Sequence, residues 1–585
     1  MSNYFEPLSD YVSFFKDHHA RNVSEHFEEL VRESAVDEQE NIKTIAELRA
    51  LEEAKGKQSN SRGWLRFARV VCIIAAAVAG MTAISQGGLA LLWLIVVVAA
   101  LVLIFVTINP AVKSMSSKLE VLEKECLEKT HEAWAQMGPL NNLYRWDAAR
   151  VLYQRTFPEV VLDEFFAKDR LVDLLETYGL STKINDGRSI LLSQSGAINE
   201  NPFVVARYLQ HWIGSKQYFG SLYITWTEQV RDPQGNWRTV YRSQTLTASV
   251  TKPFPEYRNG TAIIYGHEAA PSLSFSRTPS GLSGLEEGMF NNWRKNNAVK
   301  KVEKKARKDL NSGKGGLTLM SNHEFEALFN ATNRDNETEF RVLFTPLGQQ
   351  EMVHLLNDKH AGYGDDFSFS KDGNINIIEP HHLAETRFDA DPRMFKFNEL
   401  AQARAFFNNF HNDFFRSLYF GLAPLLAVPV YREKRSGSLT APYNETHESS
   451  FWEHEVMANY IGEDSFKHSE SDTRNLLKVT DNQNSKSTNT VSVTAYGYAG
   501  HPRFDQIPVL GGDGKVHLVT VPWVEYIGVN KTSTMLVGAV QAPSKDSGEE
   551  ENTKLQSQWS EALSRHGASD QSAFVRGALA AVILG

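Results

Sequence analysis

From Val70 to Val112 the chain runs 43 residues without an Asp, Glu, Lys or Arg. One straight helix of that length would measure about 64 Å, twice the roughly 30 Å of a hydrocarbon core, so the run has to turn back on itself. Ser85-Gln86-Gly87-Gly88 is the polar, glycine-paired break, and it divides the run into Val70 to Ile84 and Leu89 to Ile108. The pattern predicts a two-helix transmembrane hairpin over 64–109, with Trp64 to Phe67 drawn in as Arg66 and Arg69 snorkel. On the first segment Ala75 with Ala79, and Ala76 with Gly80, have the small-xxx-small spacing that admits a second helix; such residues are also simply tolerated in lipid. Leu89 to Phe105 reads as lipid-facing.

Both flanks change to a spacing of three and four. Before the hairpin, Glu25 to Lys55 lacks Pro and Gly, and Phe27, Leu30, Ile42, Ile45, Leu48 and Leu51 predict one long helix within an N-terminal arm, 1–63. After it, Val112, Met115, Leu119, Leu122, Cys126, Ala133 and Met137 keep a coiled-coil-like seam over 110–138, which Gly138-Pro139 should end. Helices flanking one hairpin emerge antiparallel. They are expected to pair as a stalk with Leu51 near Leu119, the alternative being that each buries its stripe on the globular mass. Tyr4, Phe5, Tyr11, Phe14 and Phe15 suit a short helix docking its rings on something larger.

Beyond 139 the class is α+β, a mixed antiparallel sheet with helices. Leu140 to Gly179 reads as helical. The period then becomes two in Tyr218 to Val230 and Trp237 to Val250, a β-hairpin around Asp232-Pro233-Gln234-Gly235. Ala262 to Gly266 and Leu273 to Phe275 add strands, and a basic helical insert lies between Gly281 and Gly316. Leu400 to Leu426 is an apolar core helix broken by Gly421 and Pro424. Strands resume at Thr490 to Tyr498, Val516 to Val524 and Met535 to Val540. Asp481 to Asn489 and Ser544 to Thr553 read as polar loops, and Ala573 to Leu584 as an apolar tail too short to span. The expected domains are 139–316, 317–435 and a β-rich 436–585.

Charge gives an orientation. Lys55, Lys57, Arg62, Arg66 and Arg69 precede the first span and Lys113, Lys118 and Lys124 follow the second, while the turn has none, so both termini are expected in the cytoplasm. The N-terminus shows no basic-then-apolar signal pattern, which leaves the hairpin as the insertion signal. With two cysteines, one of them Cys72 inside a span, a disulfide framework is excluded, and the Asn-x-Ser/Thr sequons are chance matches on cytoplasmic arms. A net charge of −9 argues against general nucleic-acid binding. The local exception is the insert, with Arg294, Lys295, Lys300, Lys301, Lys304, Lys305, Arg307 and Lys308. It is open to three readings: a solvated face, a contact with anionic headgroups, or a grip on RNA.

Catalytic motifs are mostly missing. Gly313-Lys314-Gly315-Gly316 has neither the spacing nor the hydroxyl of a phosphate-binding loop, and no Gly-x-Ser-x-Gly or His-Glu-x-x-His occurs. The densest constellation is His447-Glu448-Ser449-Ser450-Phe451-Trp452-Glu453-His454-Glu455. As a helix it would set His447 and His454 about 10 Å apart on one face with Glu448 beside them, too far for one metal ion without help from elsewhere. An interaction helix presenting Phe451 and Trp452 is the plainer reading. His381, His382 and Glu385 form a weaker cluster. No cofactor is expected.

Glu324-Phe325-Glu326-Ala327-Leu328-Phe329, Arg334-Asp335-Asn336-Glu337, Phe340 to Pro346 and Phe367 to Ile377 together resemble the core of a family of bacterial membrane proteins whose shared domain has no assigned function. The likeness covers about 318–435. It implies a bacterial inner-membrane location and two spans before an α+β cytoplasmic region, and it brings no catalytic residues. Thr345-Pro346 starts a helix and Asp372-Gly373-Asn374 is a hairpin turn. The expectation is a non-enzymatic multi-pass membrane protein that self-assembles and presents its cytoplasmic domains to a partner or a membrane surface. The alternative is a membrane-bound hydrolase or metal-dependent enzyme centred on His447, Glu448 and His454.

Overall fold

The computed structural model describes residues 5–85, 90–282, 297, 299–301, 303–304, 319–388, 390–435, 448–481, 489–539, 568–575 and 578–583. The chain divides into two units: Ala20–Arg145 with Asp391–Asn412, and Met1–His19 with Trp146–Ala390 and Asp413–Gly585.

The first unit is helical. The chain enters it after helix α1 (Pro7–Asp10) and a π-helical turn, Tyr11–Phe15, by way of α2, which spans Lys16–Ser34. Then come α3 (Glu38–Ser85), α4 (Ala90–Val102) and α5 (Asn109–Asn141), with π-helical Leu103–Ile108 joining the last two. The single helix expected over 25–55 is therefore two. Ala35 adopts a left-handed φ of 52°, and Asp37 caps the next helix by accepting from the Gln39 and Glu40 amides at 2.8 and 3.0 Å. Pro139 does not end α5 either. Leu140 is buried, and the Asn141 side chain both donates to the Phe397 carbonyl and accepts from its amide, so packing holds the last turn.

α3 and α5 pair antiparallel, burying Ile45, Leu48, Cys126 and Ala133, with Leu51 against them. Polar contacts fix the register: Lys55 to Glu123 at 3.7 Å, Glu47 to Lys129 at 2.8 Å, and Thr44 accepting from Gln136 at 2.9 Å. Leu51 thus sits beside Cys126, and the expected Leu51–Leu119 neighbourhood is about two helical turns out. The buried positions Leu119, Cys126, Ala133 and Leu140 repeat every seven residues, the spacing of a coiled-coil seam. On α3 the same inward stripe continues through half-buried Leu51, Lys55, Gln58, Arg62, Leu65 and Cys72 into Ala76 and Ala79. Two helices, Glu38–Met81 and Val97–Asn141, are long and apolar enough to cross a membrane. The start of α12 (Leu400–Leu426) contributes Phe407 against Phe27 and Arg404 against Glu28 and Glu38.

In the second unit, α6 (Ala148–Thr156) and α7 (Lys168–Val172) flank strand β1 (Val160–Leu162), which the helical reading of 140–179 missed. Strands β2 (Arg188–Ile198), β3 (Asn201–Arg231), β4 (Trp237–Gly266), β5 (Ser274–Arg277), β6 (Phe367–Asp372) and β7 (Ile375–Pro380) complete an antiparallel sheet in the order β1-β2-β3-β4-β7-β6-β5. Since β7 pairs with β4 and β6 with both β7 and β5, residues 139–316 and 317–435 share one sheet and are not separate folds. Helices α8 (His323–Phe329), α9 (Glu337–Leu343), α10 (Pro346–Asn357) and α11 (His381–Glu385) lie in that stretch. α12 is unbroken: Gly421 lets it approach Leu383 and Ile263, which a Cβ there would meet at 2.8 and 3.1 Å, and Pro424 sits within the helix. Its rings also receive the N-terminal aromatics, with Tyr11 4.7 Å from Phe420 and Tyr419 donating to the Pro7 carbonyl at 2.8 Å.

The C-terminal part forms a second sheet, β11-β12-β10-β9-β8, from β8 (Leu476–Asp481), β9 (Asn489–Leu510), β10 (Val516–Ala539), β11 (Ala568–Val575) and β12 (Ala578–Ile583). The strands expected at 516–524 and 535–540 are one strand, and the apolar tail supplies two strands. Of the two expected polar loops, 482–488 and 544–553 lie outside the described residues. β3 and β4 form a ribbon of 31 and 30 residues, about 100 Å at 3.3 Å per residue. Its middle packs on the β9–β10 ribbon through Ile224, Leu246 and Val519, and Gly220 is required there, because a Cβ would collide with the Thr520 carbonyl oxygen.

The register of the stalk is directly checkable. With Cys72 replaced by Ala, Leu51→Cys should link to native Cys126 within one chain on mild oxidation, whereas Leu51→Cys with Leu119→Cys in a Cys126→Ala background should not. Peptide mapping of the linked product decides; a 51–119 bridge would refute the register.

Candidate functional site

The acidic and imidazole groups of the densest sequence constellation fall on or beside α13 (Phe451–Ile461), whose amino end Ser450 caps by accepting from the Glu453 amide. Two sheets use opposite faces of this helix. Trp452 and Val456 pack with Val204, Ala206 and Ile264, while Met457 and Ala458 pack with Leu477, Val493 and Met535. The expected presentation of Phe451 and Trp452 is therefore overturned: Trp452 is 3% exposed and meets Phe166 edge-on at 5.7 Å. Phe451 is half-buried against the same cluster, so of the two rings it is Trp452 that the sheet takes fully into the core.

Its carboxylates act between the sheets. Glu455 is fully buried and accepts from Asn185 Nδ2 at 3.2 Å and the Ile190 amide at 3.0 Å on the first sheet's side, and from Lys478 Nζ at 2.9 Å on the second's. Burial pushes its carboxyl above the usual range, with Lys478 opposing the shift. Glu453 accepts from Ser193 Oγ at 2.6 Å. Asn459 donates to the Ile190 carbonyl at 2.8 Å, and Ser189 Oγ to the Leu477 carbonyl at 2.9 Å. These bonds tie α13, β2 and β8 together.

The residues proposed for metal do not converge. His454 Nε2 meets Ser449 Oγ at 2.8 Å, while the Glu448 carboxylate turns to Lys168 at 2.9 Å. The helix begins at Phe451, and His447 lies outside the described residues. Among the described residues no group of three or more His, Cys, Asp or Glu is placed to hold a metal ion. Glu385 is exposed, and the acid that reaches His382 is Asp366, with Nδ1 to Oδ2 at 2.8 Å. His382 Nε2 meets the Ser417 carbonyl at 3.1 Å, and Tyr363 stacks flat on the ring at 3.7 Å. The cavity beside them, lined by Leu355, Asp366 and Phe420, holds about 20 Å³, room for one water. Sequence spacing pointed away from Asp366, because it precedes a strand 16 residues upstream of its partner.

The motif residues of 318–435 have structural roles. Glu326 and Arg334 form a bidentate ion pair at 2.8 and 2.9 Å, both nearly inaccessible, and Glu337 adds a bond to Arg334 at 2.8 Å. Arg277 and Asp365 make a second buried pair. Lys371 donates to the Ala269 and Gly373 carbonyls at 3.0 and 2.6 Å, pinning the turn in which Gly373 takes a positive φ; burial lowers its pKa to about 8. Beside it, His267 Nδ1 accepts from the Ala269 amide at 3.0 Å, which only a neutral ring can do, and burial together with Lys371 lowers its pKa to about 4.

Elsewhere, Lys300, Lys301 and Lys304 are exposed on helical backbone, which suits a solvated face and a headgroup contact equally; Lys305, Arg307 and Lys308 lie outside the described residues. Ala79 is buried, Ala76 and Gly80 are half-buried and Ala75 is exposed. A Cβ at Gly80 would meet nothing within 4 Å, so among the described residues no contact requires glycine there.

Two outcomes follow from the buried charges. Arg334→Leu leaves Glu326 buried without its partner and should cost about 3 to 5 kcal/mol by urea unfolding, while adding Glu326→Leu should recover part of the loss. His267 has a depressed folded pKa, so its contribution is complete above pH 6.5 and is lost as pH falls through 4, amounting to about 3 kcal/mol. His267→Asn should flatten the urea midpoint over that window, and an unchanged slope would count against the assignment. Set against family models, curated proteins and solved structures, the chain matches none, which leaves its own residues as the ground for a function.

Proposed function

We propose that this is a non-enzymatic, membrane-anchored assembly protein: α3 and the α4–α5 rod cross a bacterial inner membrane as a hairpin, and copies associate through spans and stalk. The large α+β unit then stands in the cytoplasm as a binding surface. The observation that carries the reading is the apolar belt, where Val70, Ile74, Val78, Met81, Ile95, Val98, Val102, Phe105 and Val106 are all about half exposed or more. Exposure to water costs roughly 25 cal/mol for each Å² of it, whereas hydrocarbon solvates it without that penalty, and the backbone within both rods is already hydrogen-bonded. The basic residues gather at the ends of the belt remote from the turn. Confinement to a plane raises the effective concentration of copies, so weak contacts can add. Against the hydrolase alternative stands the use of Glu453, His454 and Glu455 as internal fasteners, while Glu448 is engaged by Lys168 at the surface.

Topology is the decisive test. A cysteine at Gln86, in a Cys72→Ala, Cys126→Ala background, should react with an impermeant thiol reagent on intact cells, and one at Ser59 should not; the reverse pattern, or full extraction by carbonate, would overturn the reading.

A further inference from the structure

The β3–β4 ribbon outruns its neighbours. β2 leaves β3 at Gln210 and β7 leaves β4 at Ile263, so among the described residues no strand pairs with the outer edges of 211–231 or 237–262. The β9–β10 ribbon is also open past its pairings with β8 and β12. Open edges invite pairing with other chains, and proteins guard them with prolines and charges. The guards here are unevenly placed. Pro502, Pro508 and Pro522 protect β9–β10, and Pro253 and Pro255 protect the base of β4. All five fall on alternate positions of an intact ladder, where the missing N–H would have pointed out of the ribbon.

Farther along, Gln217 to Thr227 of β3 has no proline and no charge, and Thr239 to Thr251 of β4 has only Arg242. Both windows are rich in Thr, Tyr, Ile, Leu and Val, the composition that aggregates when an edge is left bare. The exposed face agrees: Phe219, Tyr223 and Tyr241 are 68%, 66% and 84% exposed, among Ser, Thr and Gln. The two windows lie at one height, since Gln217 pairs with Thr251 and Thr227 with Tyr241.

We propose that the outer β3 edge of one copy pairs with the outer β4 edge of the next, over 217–227 against 241–251, so that the ribbons of an assembly close into one shared antiparallel sheet. The occupant is a second copy because a ribbon shifted sideways without change of height sets unguarded window against unguarded window. The strands are then antiparallel, and the outward N–H and C=O groups of odd-numbered residues face each other. About one new hydrogen bond per residue forms along the contact. Such a contact is head-to-tail and closes only as a ring. This inference rests on the proposed self-assembly and names a surface beyond the spans and stalk.

The test uses full-length protein in mild detergent with Cys72→Ala and Cys126→Ala. One copy carries Ser221→Cys and a differently tagged copy carries Thr247→Cys, since both in one chain would link within the ribbon. Co-expressed copies treated with a short bifunctional thiol reagent should give a 221–247 dimer carrying both tags. The pair Gln506→Cys and Thr520→Cys, on the guarded ribbon, should link at least tenfold less. Ser221→Pro with Thr247→Pro should reduce the assembly's size while leaving far-ultraviolet dichroism unchanged. An assembly that persists without the 221–247 link, or that links equally at 506–520, overturns edge pairing and leaves anchoring and stalk association standing. A strictly monomeric protein overturns both.

Discussion

A single buried carboxylate constrains much of the α+β unit. Glu455 can remain in the core only because donors from both sides of α13 converge on it, and without it the Ile190 amide and the Asn185 side-chain amide would lose their acceptor, while Lys478 would keep the Asn185 and Arg188 carbonyls. The cost of an unpaired buried group is what makes the arrangement specific: slipping β8 by one residue would swing Lys478 to the far face and strand both charges. Apolar packing on the two sides of α13 supplies most of the attraction, and the polar lattice chooses one registration among the many that apolar contact alone would allow.

The same logic separates what the sequence revealed from what it hid. Periodicity located the seam from Leu119 to Met137, the turn at Asp232 to Gly235 and the Thr345 cap, because each depends on neighbours within a few residues. It missed the division of the N-terminal helix, although Asp37-Glu38-Gln39-Glu40 carries a capping signature that a run of helix-forming residues obscured. It treated Pro139 and Pro424 as breaks, whereas buried Leu140 and the packed surroundings of Gly421 hold both helices through the proline. Long strands were cut short, since alternation fades where the ribbons stand free and both faces tolerate polar residues. The constellation around His454 was misread for a physical reason: clustered acids and imidazoles look alike whether they converge on a ligand or on backbone amides. Only the partners, Ile190, Ser193 and Val479, between 24 and 265 residues away in sequence, distinguish the two cases.

The stalk and the apolar rods follow one geometric rule. The inward stripe of α3 passes from Leu48 and Leu51 through Lys55, Gln58 and Arg62 to Cys72, Ala76 and Ala79 without a change of period. What changes is the outward face, charged before Arg69 and wholly apolar after it. Pairing geometry is therefore set by the seam, and the two stretches differ in the surface they turn outward. Gly56 and Gly63 mark the polar stretch between the two regimes, and a Cβ at either would meet nothing, so neither serves close packing. Their effect is to lower helix propensity by about 1 kcal/mol each where the seam itself is least apolar.

Edge chemistry gives the assembly reading a physical direction. Span and stalk contacts are side-chain contacts whose strength varies with lipid and detergent, and small residues in the first rod, with no steric need for glycine at Gly80, make a weak case alone. A bare β-edge is different in kind. Its donors and acceptors are fixed in a row by the hairpin that bears them, so pairing costs little further backbone entropy and is specified by height, parity and polarity. Prolines stand on β9, β10 and the base of β4, and the charges Lys216, Glu228 and Arg231 flank the open stretch of β3, while 217–227 carries neither and 239–251 has Arg242 alone. The placement of the five prolines is the observation on which the proposed contact between copies, at one height of the β3–β4 ribbon, rests.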